Sequence, residues 1–186
     1  MPVGVFVPTS SDDMAAALAI ARDLQVPVLP RGGGTSQCGQ TTGAALVVDT
    51  SKYLRSVVSF DPDAMTVDVE PGMVLDHLNA WLKPQGLWFP VDVSTGAQAT
   101  LGGMAGNNSC GSRSIAYGNM VHNVLGAQAW TSDGELHQFG RFEDSVGRAR
   151  DIGNRVRDLA AQLAPEIDKL WPKVMRRVGG YNLDIF

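Results

Sequence analysis

The chain has 186 residues, a formal net charge of -4 and a sequence pI near 5.2. That length suits one domain, or two small lobes that share a core. Hydrophobic residues make up 44% of the chain and charged residues 18%, which supports a buried core and excludes global disorder. The acidic balance argues against a nucleic-acid-binding surface, because such a surface needs clustered Lys and Arg.

The apolar runs are far shorter than the roughly 20 residues of a membrane helix, and the first residues lack the basic stretch of a signal peptide. We therefore expect no membrane span and a cytoplasmic location, with peripheral membrane association left open. The two cysteines, Cys38 and Cys110, form neither a disulfide scaffold nor a CxxC pattern. We expect packing roles for both cysteines and no metal site.

The amino-terminal third predicts a parallel βαβ unit. Three short apolar runs are typical of strands, at residues 3–8, 26–30 and 45–49. A helix from about Ser10 to Leu24 separates the first two, with serine and aspartate available as N-caps. Strand and helix alternating at this spacing favour parallel pairing.

Eleven of the 21 glycines lie in two stretches, which we call the first glycine window (residues 31–43) and the second glycine window (residues 96–118). The first begins Arg31-Gly32-Gly33-Gly34-Thr35-Ser36, directly after a strand. Consecutive glycines leave N–H groups unobstructed, and such a nest of amides can bind a phosphate. Arg31 either adds charge or points to solvent. The spacing fits neither a Rossmann fingerprint nor a P-loop, and a plain glycine-rich turn is the alternative.

Between the windows, two runs at residues 54–60 and 64–71 flank the turn Asp61-Pro62-Asp63 and predict a β-hairpin. A helix follows from about Val74 to Lys83. Its apolar face is predicted to carry three leucines, Leu75, Leu78 and Leu82.

The second glycine window reads GAQATLGGMAGNNSCG over residues 96–111. Thr100 can cap a short helix that begins near Leu101 and aims its first amides at a ligand. Asn107, Asn108 and Ser109 offer directed donors and acceptors, and no charged group occurs in the window before Arg113. Tight helix packing by small residues is the alternative. Together the two windows predict a long ligand, such as a dinucleotide, held by backbone at two places.

Beyond the windows, residues 124–131 and 135–139 flank an Asp-Gly turn and predict a second hairpin. Residues 148–178 are predicted to be helical, interrupted at Pro165 and Pro172. We expect two lobes, an α/β lobe at residues 1–56 and a second lobe of mainly antiparallel strands and helices at residues 57–186.

The segments PVLPRGGGTSQCGQ and, about 60 residues later, PVDVSTGAQATLGGMAGNNSCGSRSIAYGNMVHNVLG resemble the FAD-linked oxidases of the vanillyl-alcohol oxidase type. The resemblance covers residues 1–139 and points to the group of glycolate oxidase, D-lactate dehydrogenase and D-2-hydroxyglutarate dehydrogenase. The final RRVGGYNLDIF is similar to large bacterial members that carry a fused iron–sulfur domain. The resemblance implies an α+β, PCMH-type FAD-binding fold with FAD between the two lobes.

The resemblance also implies a set of cofactor-binding residues. On the pyrophosphate loop and just past it they are Arg31, Gly32, Gly33, Gly34, Thr35, Ser36, Gln40 and Thr41. Near the isoalloxazine ring they are Pro90 and Val93. On the second binding segment they are Thr100, Leu101, Gly102, Gly103, Asn107, Ser109 and Cys110. Many relatives carry a histidine that can hold FAD covalently where Ser36 stands here, so we expect noncovalent FAD.

Relatives continue through a Gly-Ser-Glu-Gly segment and a substrate-binding cap domain, which we do not find before Phe186. We therefore expect a fragment that is inactive alone, with the catalytic residues and the contacts to a small hydroxy acid elsewhere. Electrons would pass to an iron–sulfur domain or a quinone. His77, His122 and His137 are expected to be structural or solvated, and Tyr117 is left open.

Three other functions stay open at this point. One is a flavin-binding module without chemistry, and another is an FAD domain like that of the reductase that acts on an enolpyruvyl sugar nucleotide. The third is an acidic structural domain without a ligand, which requires both glycine windows to be ordinary turns.

Overall fold

A computed structural model describes residues 1–174 and 181–185. By its contacts the chain divides into two compact units, Met1–Asn123 and Val124–Phe186. The lobe boundary predicted between residues 56 and 57 lies inside the first of these units and stays a prediction. The terminal segment 176–186 and the end of the predicted helical stretch lie partly outside the described residues.

The first unit opens with a parallel sheet. Strands β1 (Gly4–Phe6) and β2 (Val28–Arg31) both pair in parallel with β3 (Leu46–Asp49), which lies between them. Helix α1 (Ser11–Asp23) connects β1 to β2 and begins at a capping box on Ser10. The predicted parallel unit is thus confirmed.

The predicted hairpin and leucine-faced helix follow in the same unit. Strands β4 (Val57–Asp61) and β5 (Thr66–Val69) pair antiparallel, and α2 spans Leu75–Leu82. The three leucines predicted for one face of α2 are at most 4% exposed: Leu75, Leu78 and Leu82. Phe60 of β4 meets Trp81 of α2 edge to face at 5.2 Å, which places the hairpin against the helix.

Three short helices complete the first unit: α3 (Leu101–Gly106), α4 (Ser114–Tyr117) and α5 (Met120–Asn123). Met104 and Met120, from the first and last of these, are at most 2% exposed and extend the core that α2 begins. The second glycine window therefore packs on the apolar core through Met104.

The second unit begins with the other predicted hairpin, β6 (Ala127–Trp130) and β7 (Leu136–Phe139), paired antiparallel. The stretch predicted as helical forms α6 (Gly147–Gln162) and α7 (Ala164–Leu170). Parallel and antiparallel sheets with separate helices give the α+β class. Among the described residues, no helix is both long and apolar enough to cross a bilayer.

Candidate functional site

The first glycine window leaves the end of β2 as an open loop. Gly34 has φ +65°, a conformation that favours glycine. A side-chain carbon on Gly34 would lie 2.5 Å from Arg31 Nη2, so the guanidinium lies over this loop. Thr50 holds the base of the loop, since its amide and hydroxyl both donate to the Arg31 carbonyl, at 3.0 and 3.3 Å.

The two glycine windows contact each other directly. A side-chain carbon on Gly32 would overlap the Thr100 hydroxyl, and one on Gly33 would overlap the Gln98 carbonyl oxygen. The carbon on Gly32 would also lie 3.6 Å from the Gly103 Cα. Glycine is therefore required at both positions, because an added carbon would meet a buried side chain at Gly32 and main chain at Gly33, and the two windows form one surface instead of two separate ones.

The second window is fixed by its neighbours in sequence and by residues 71–75. The Thr100 hydroxyl caps α3 by accepting from the Gly103 amide at 3.4 Å, as predicted. The amides of Leu101 and Gly102 donate to the carbonyls of Met73 and Pro71, at 2.8 and 2.9 Å. The first three amides of α3 are thus all used within the protein, so the prediction that they point at a ligand is wrong.

The amides of the first window are different. Within residues 1–174 and 181–185, no acceptor pairs with the backbone N–H groups of residues 32–36. All five residues are half-buried, and the guanidinium of Arg31 lies against Gly34. Backbone donors that are partly shielded and have no acceptor among the described residues, with a guanidinium beside them, suit an anionic ligand such as a diphosphate. This is the part of the structure that fits FAD.

Side chains also bridge the windows. Gln40 Nε2 donates to Asn107 Oδ1 at 3.4 Å, and Asn107 Nδ2 donates to Ser109 Oγ at 3.5 Å. Asn108 has φ +43° and accepts from the Val121 amide at 3.0 Å, so it serves the turn between α3 and α5. Of the polar run 107–109, Asn107 is the exposed member.

The remaining predicted site residues differ in accessibility. Thr41, Pro90, Val93 and Cys110 are half-buried. Thr100 and Leu101 are 1% and 7% exposed and lie in the interior, so they support the windows from below. The structure therefore brings Gly32 and Gly33 against residues 98–100 and Gly103, while the contact of each predicted residue with FAD stays a prediction. Cys38 is exposed, so the packing role expected for it is wrong.

The sequence interpretation missed Asp92. Its carboxylate accepts from Ser112 Oγ at 2.8 Å and from the Arg113 amide at 2.9 Å, and Arg113 Nε lies 3.6 Å away. Desolvation acts to raise the pKa of Asp92, but the hydrogen bonds outweigh it and hold the pKa below its ordinary value. The available signal was its position, because Asp92 is a lone carboxylate just before a long uncharged stretch that ends at Arg113.

Tyr117 and His122 lie at the end of the second window. The Tyr117 ring meets Trp88 edge to face at 5.2 Å, and Trp88 carries the Arg113 guanidinium 5.0 Å from its ring centre. His122 is exposed, and its Nδ1 accepts from the Asn119 amide at 3.0 Å. This bond gives His122 a structural role in the turn.

Comparisons with known proteins agree with this geometry. The model of a family described as an FAD binding domain matches residues 2–140. D-2-hydroxyglutarate dehydrogenase of Escherichia coli strain K12 is 32% identical over 98% of this chain. Glycolate oxidase subunit GlcD of Bacillus subtilis strain 168 is 33% identical over 75% of this chain.

The chain spans only part of these relatives, 19% of the dehydrogenase and 30% of the oxidase subunit. A solved structure of alkyldihydroxyacetonephosphate synthase has the same fold, with a TM-score of 0.65 and 21% identity over 80% of this chain and 27% of its own. The resemblance read from the two glycine windows is thereby confirmed. The chain belongs to the FAD binding domain family and has its α+β, PCMH-type FAD-binding fold.

Proposed function

We propose that this chain is the FAD-binding part of a flavin-dependent dehydrogenase that oxidises a D-2-hydroxy acid. The relatives that it matches over most of its length carry D-2-hydroxyglutarate dehydrogenase and D-lactate dehydrogenase activities in their names. FAD, when bound, supplies the hydride-accepting chemistry, and the protein binds and orients it. The residues that contact the hydroxy acid belong to a cap domain, and the electrons pass on to an iron–sulfur domain or a quinone.

The amides of residues 32–36, which have no acceptor in the part of the chain that the structure describes, carry this proposal. They offer hydrogen bonds to the diphosphate of FAD without the cost of breaking bonds within the protein. Arg31 adds the positive charge that the diphosphate needs, and Gln40, Thr41, Asn107 and Ser109 line the joined windows. Pro90 and Val93 lie on the segment assigned to the flavin ring.

Binding is noncovalent in this proposal. Ser36 stands where many relatives carry a histidine that attaches the flavin, and a serine hydroxyl is a hydrogen-bond donor to the diphosphate instead. Acid precipitation of the protein loaded with FAD should therefore release all of the flavin into the supernatant. Flavin that stays with the precipitated chain would contradict this part of the proposal.

Titration of the chain with FAD, followed by flavin fluorescence, tests the binding step. Arg31→Gln should weaken binding by about tenfold, because a charged hydrogen-bond donor beside the diphosphate is lost. Arg55→Gln removes an exposed arginine of the same unit and serves as the control, with binding expected to be unchanged. Equal affinity in both variants would show that Arg31 does not contact the cofactor.

Anaerobic addition of D-2-hydroxyglutarate, D-lactate or glycolate to the whole flavin-loaded protein tests the reaction. Bleaching of the visible flavin band by one of these acids supports a hydroxy acid dehydrogenase. Bound flavin that none of them bleaches favours a module without chemistry, and bleaching by NADPH instead favours the sugar-nucleotide reductase type. These outcomes separate the binding function from the choice of substrate.

A further inference from the structure

Asp92 fastens the carboxyl-terminal part of the second glycine window to the segment before it. Its two carboxylate oxygens receive the Ser112 hydroxyl and the Arg113 amide, at 2.8 and 2.9 Å, and Arg113 Nε lies 3.6 Å away. The two hydrogen bonds and the ion pair come from two consecutive residues, so one carboxylate holds the whole turn. Hydrogen bonds to an ionised acceptor are the stronger kind.

The approach at this turn is close enough to require glycine. A side-chain carbon on Gly111 would overlap both the Asp92 carboxylate and the Asp92 carbonyl oxygen. The Gly111 amide in turn donates to Ser114 Oγ at 2.9 Å, which starts α4. Residue 91, just before the carboxylate, has no exposed surface, so this side of the contact is anchored in the core.

The contact extends outward through Arg113. Its guanidinium lies between the Asp92 carboxylate and the Trp88 ring, 5.0 Å from the ring centre, and Trp88 meets Tyr117 at 5.2 Å. The two aromatic side chains are 41% and 51% exposed. Loss of the carboxylate would therefore remove the ion pair that holds the guanidinium beside the Trp88 ring.

Asp92 is also connected to the cofactor surface through the chain. It lies between Pro90 and Val93, and the turn that it fixes directly follows Cys110. The other end of the same window contacts Gly32 and Gly33, whose amides have no acceptor among the described residues. We propose that Asp92 is a positioning residue for bound FAD, which holds the second window at the spacing that the cofactor requires. This inference rests on the proposed FAD-binding function.

The test measures the FAD dissociation constant and the visible spectrum of bound flavin for Asp92→Ala and Asp92→Asn in the full chain. Asp92→Ala removes all acceptors and should raise the dissociation constant by about tenfold, with a shift of the flavin band. Asp92→Asn keeps one acceptor and should lie between this variant and the wild type. If Asp92→Ala does not fold, the dissociation constant and the flavin spectrum of Asp92→Asn alone test the inference.

Asp13→Ala is the matched control. Asp13 is another carboxylate of the first unit with a lowered pKa, held by side-chain and backbone hydrogen bonds from Thr9, but it caps α1 and lies outside both windows. Asp13→Ala should lower the melting temperature. The FAD dissociation constant should stay within about twofold of the wild-type value, and the flavin spectrum should not shift.

If Asp92→Ala and Asp13→Ala changed FAD binding equally, the inference would be overturned, because Asp92 would then act on stability alone. An unchanged dissociation constant and spectrum in both Asp92 variants would overturn it as well. A wild-type chain that binds no FAD would instead overturn the proposed function, and this inference with it. The role of Asp92 can therefore be rejected separately from the proposed function only if the wild-type chain binds FAD.

Discussion

Gly33 shows how a single residue decides whether the two glycine windows can meet. A methyl group there would overlap the Gln98 carbonyl oxygen, which is main chain and cannot rotate away. At Gly32 the nearest obstacle is the Thr100 hydroxyl, which is a side-chain atom but belongs to a residue only 1% exposed. The requirement for glycine is therefore strictest at Gly33.

Gly33→Ala should lower the free energy of unfolding by about 1–3 kcal/mol, the usual cost of forcing an extra carbon into a packed site. Urea unfolding followed by circular dichroism measures it. Gly106→Ala is the matched control, since Gly106 belongs to α3 and a carbon added there meets nothing within 4 Å. That variant should be neutral or up to about 1 kcal/mol more stable, because alanine favours helix.

A Gly33→Ala variant as stable as the wild type would mean that the windows separate easily and that their contact does not define the site. The matched pair also separates two explanations of these glycines. Glycine needed for close packing fails at position 33 and not at 106, whereas glycine needed only for flexibility would be replaceable at both.

At the scale of elements, aspartate carboxylates cap a helix and accept hydrogen bonds in a hairpin turn. Asp13 caps α1 with bonds from Thr9 and the Ser10 amide, and hydrogen bonds from Thr9, first from its side chain, lower its pKa. Asp133 closes the turn between β6 and β7, where the Thr131 hydroxyl and the Glu135 amide lower its pKa. In both places the ionised form is the one that the fold stabilises.

Acid should therefore weaken these elements. A carboxylate whose pKa is lower in the folded chain than its ordinary value of 3.8 stabilises the fold at pH values above 3.8. This stabilisation is lost as the pH falls through the lowered pKa. We expect the melting temperature to fall as the pH drops from about 5 through the lowered pKa, and Asp13→Asn to reduce that fall. Thermal unfolding by circular dichroism at several pH values measures both.

Asp12→Asn is the control for this measurement, because Asp12 is exposed in the same first turn of α1. If Asp12→Asn and Asp13→Asn change the pH dependence equally, the general charge of the helix end and not the cap of Asp13 explains it.

Elements with local signals were predictable from the sequence, and contacts between distant elements were not. The Asp-Gly turn fixes the β6–β7 hairpin because Gly134 has φ +85°, and the leucine spacing of α2 fixes its buried face. The position of β3 between β1 and β2 depends on tertiary pairing, which no short segment encodes. The internal use of the first α3 amides likewise depends on residues 71–73, well before α3 in sequence.

The candidate site follows the same rule. Both windows and the Thr100 cap were predicted from local composition. Asp92 was missed because its partners, Ser112 and Arg113, lie some 20 residues away, and its role appears only when the turn is folded. The exposed rings of Trp88 and Tyr117 were not recognised as a pair for the same reason.

At the scale of the whole molecule, both windows lie within the unit Met1–Asn123, whereas the family match continues to residue 140. Bound FAD should therefore protect some backbone amides of the first unit more than others. The amides of residues 32–36 lack acceptors in the described chain, while those of Leu101 and Gly102 already donate to carbonyls. Only the former have new hydrogen bonds to gain from a ligand.

Hydrogen exchange followed by mass spectrometry should show this difference. Addition of FAD should slow exchange clearly in peptides that cover residues 32–36 and much less in those that cover α3, whose amides are protected beforehand. Peptides from α7 are the control for any general stabilisation of the chain. Stronger new protection at α3 than at residues 32–36 would contradict the assignment of the diphosphate to the first window.

The bond between Gln40 and Asn107 joins residues that are 67 positions apart. Chains are synthesised from the amino terminus at about 5–20 residues per second, so the triple-glycine loop leaves the ribosome several seconds before its counterpart. During that interval the loop has no Thr100 or Gln98 to rest against, and its amides face water alone. We therefore expect flavin to bind only after synthesis has passed Asn107, when the two windows can meet.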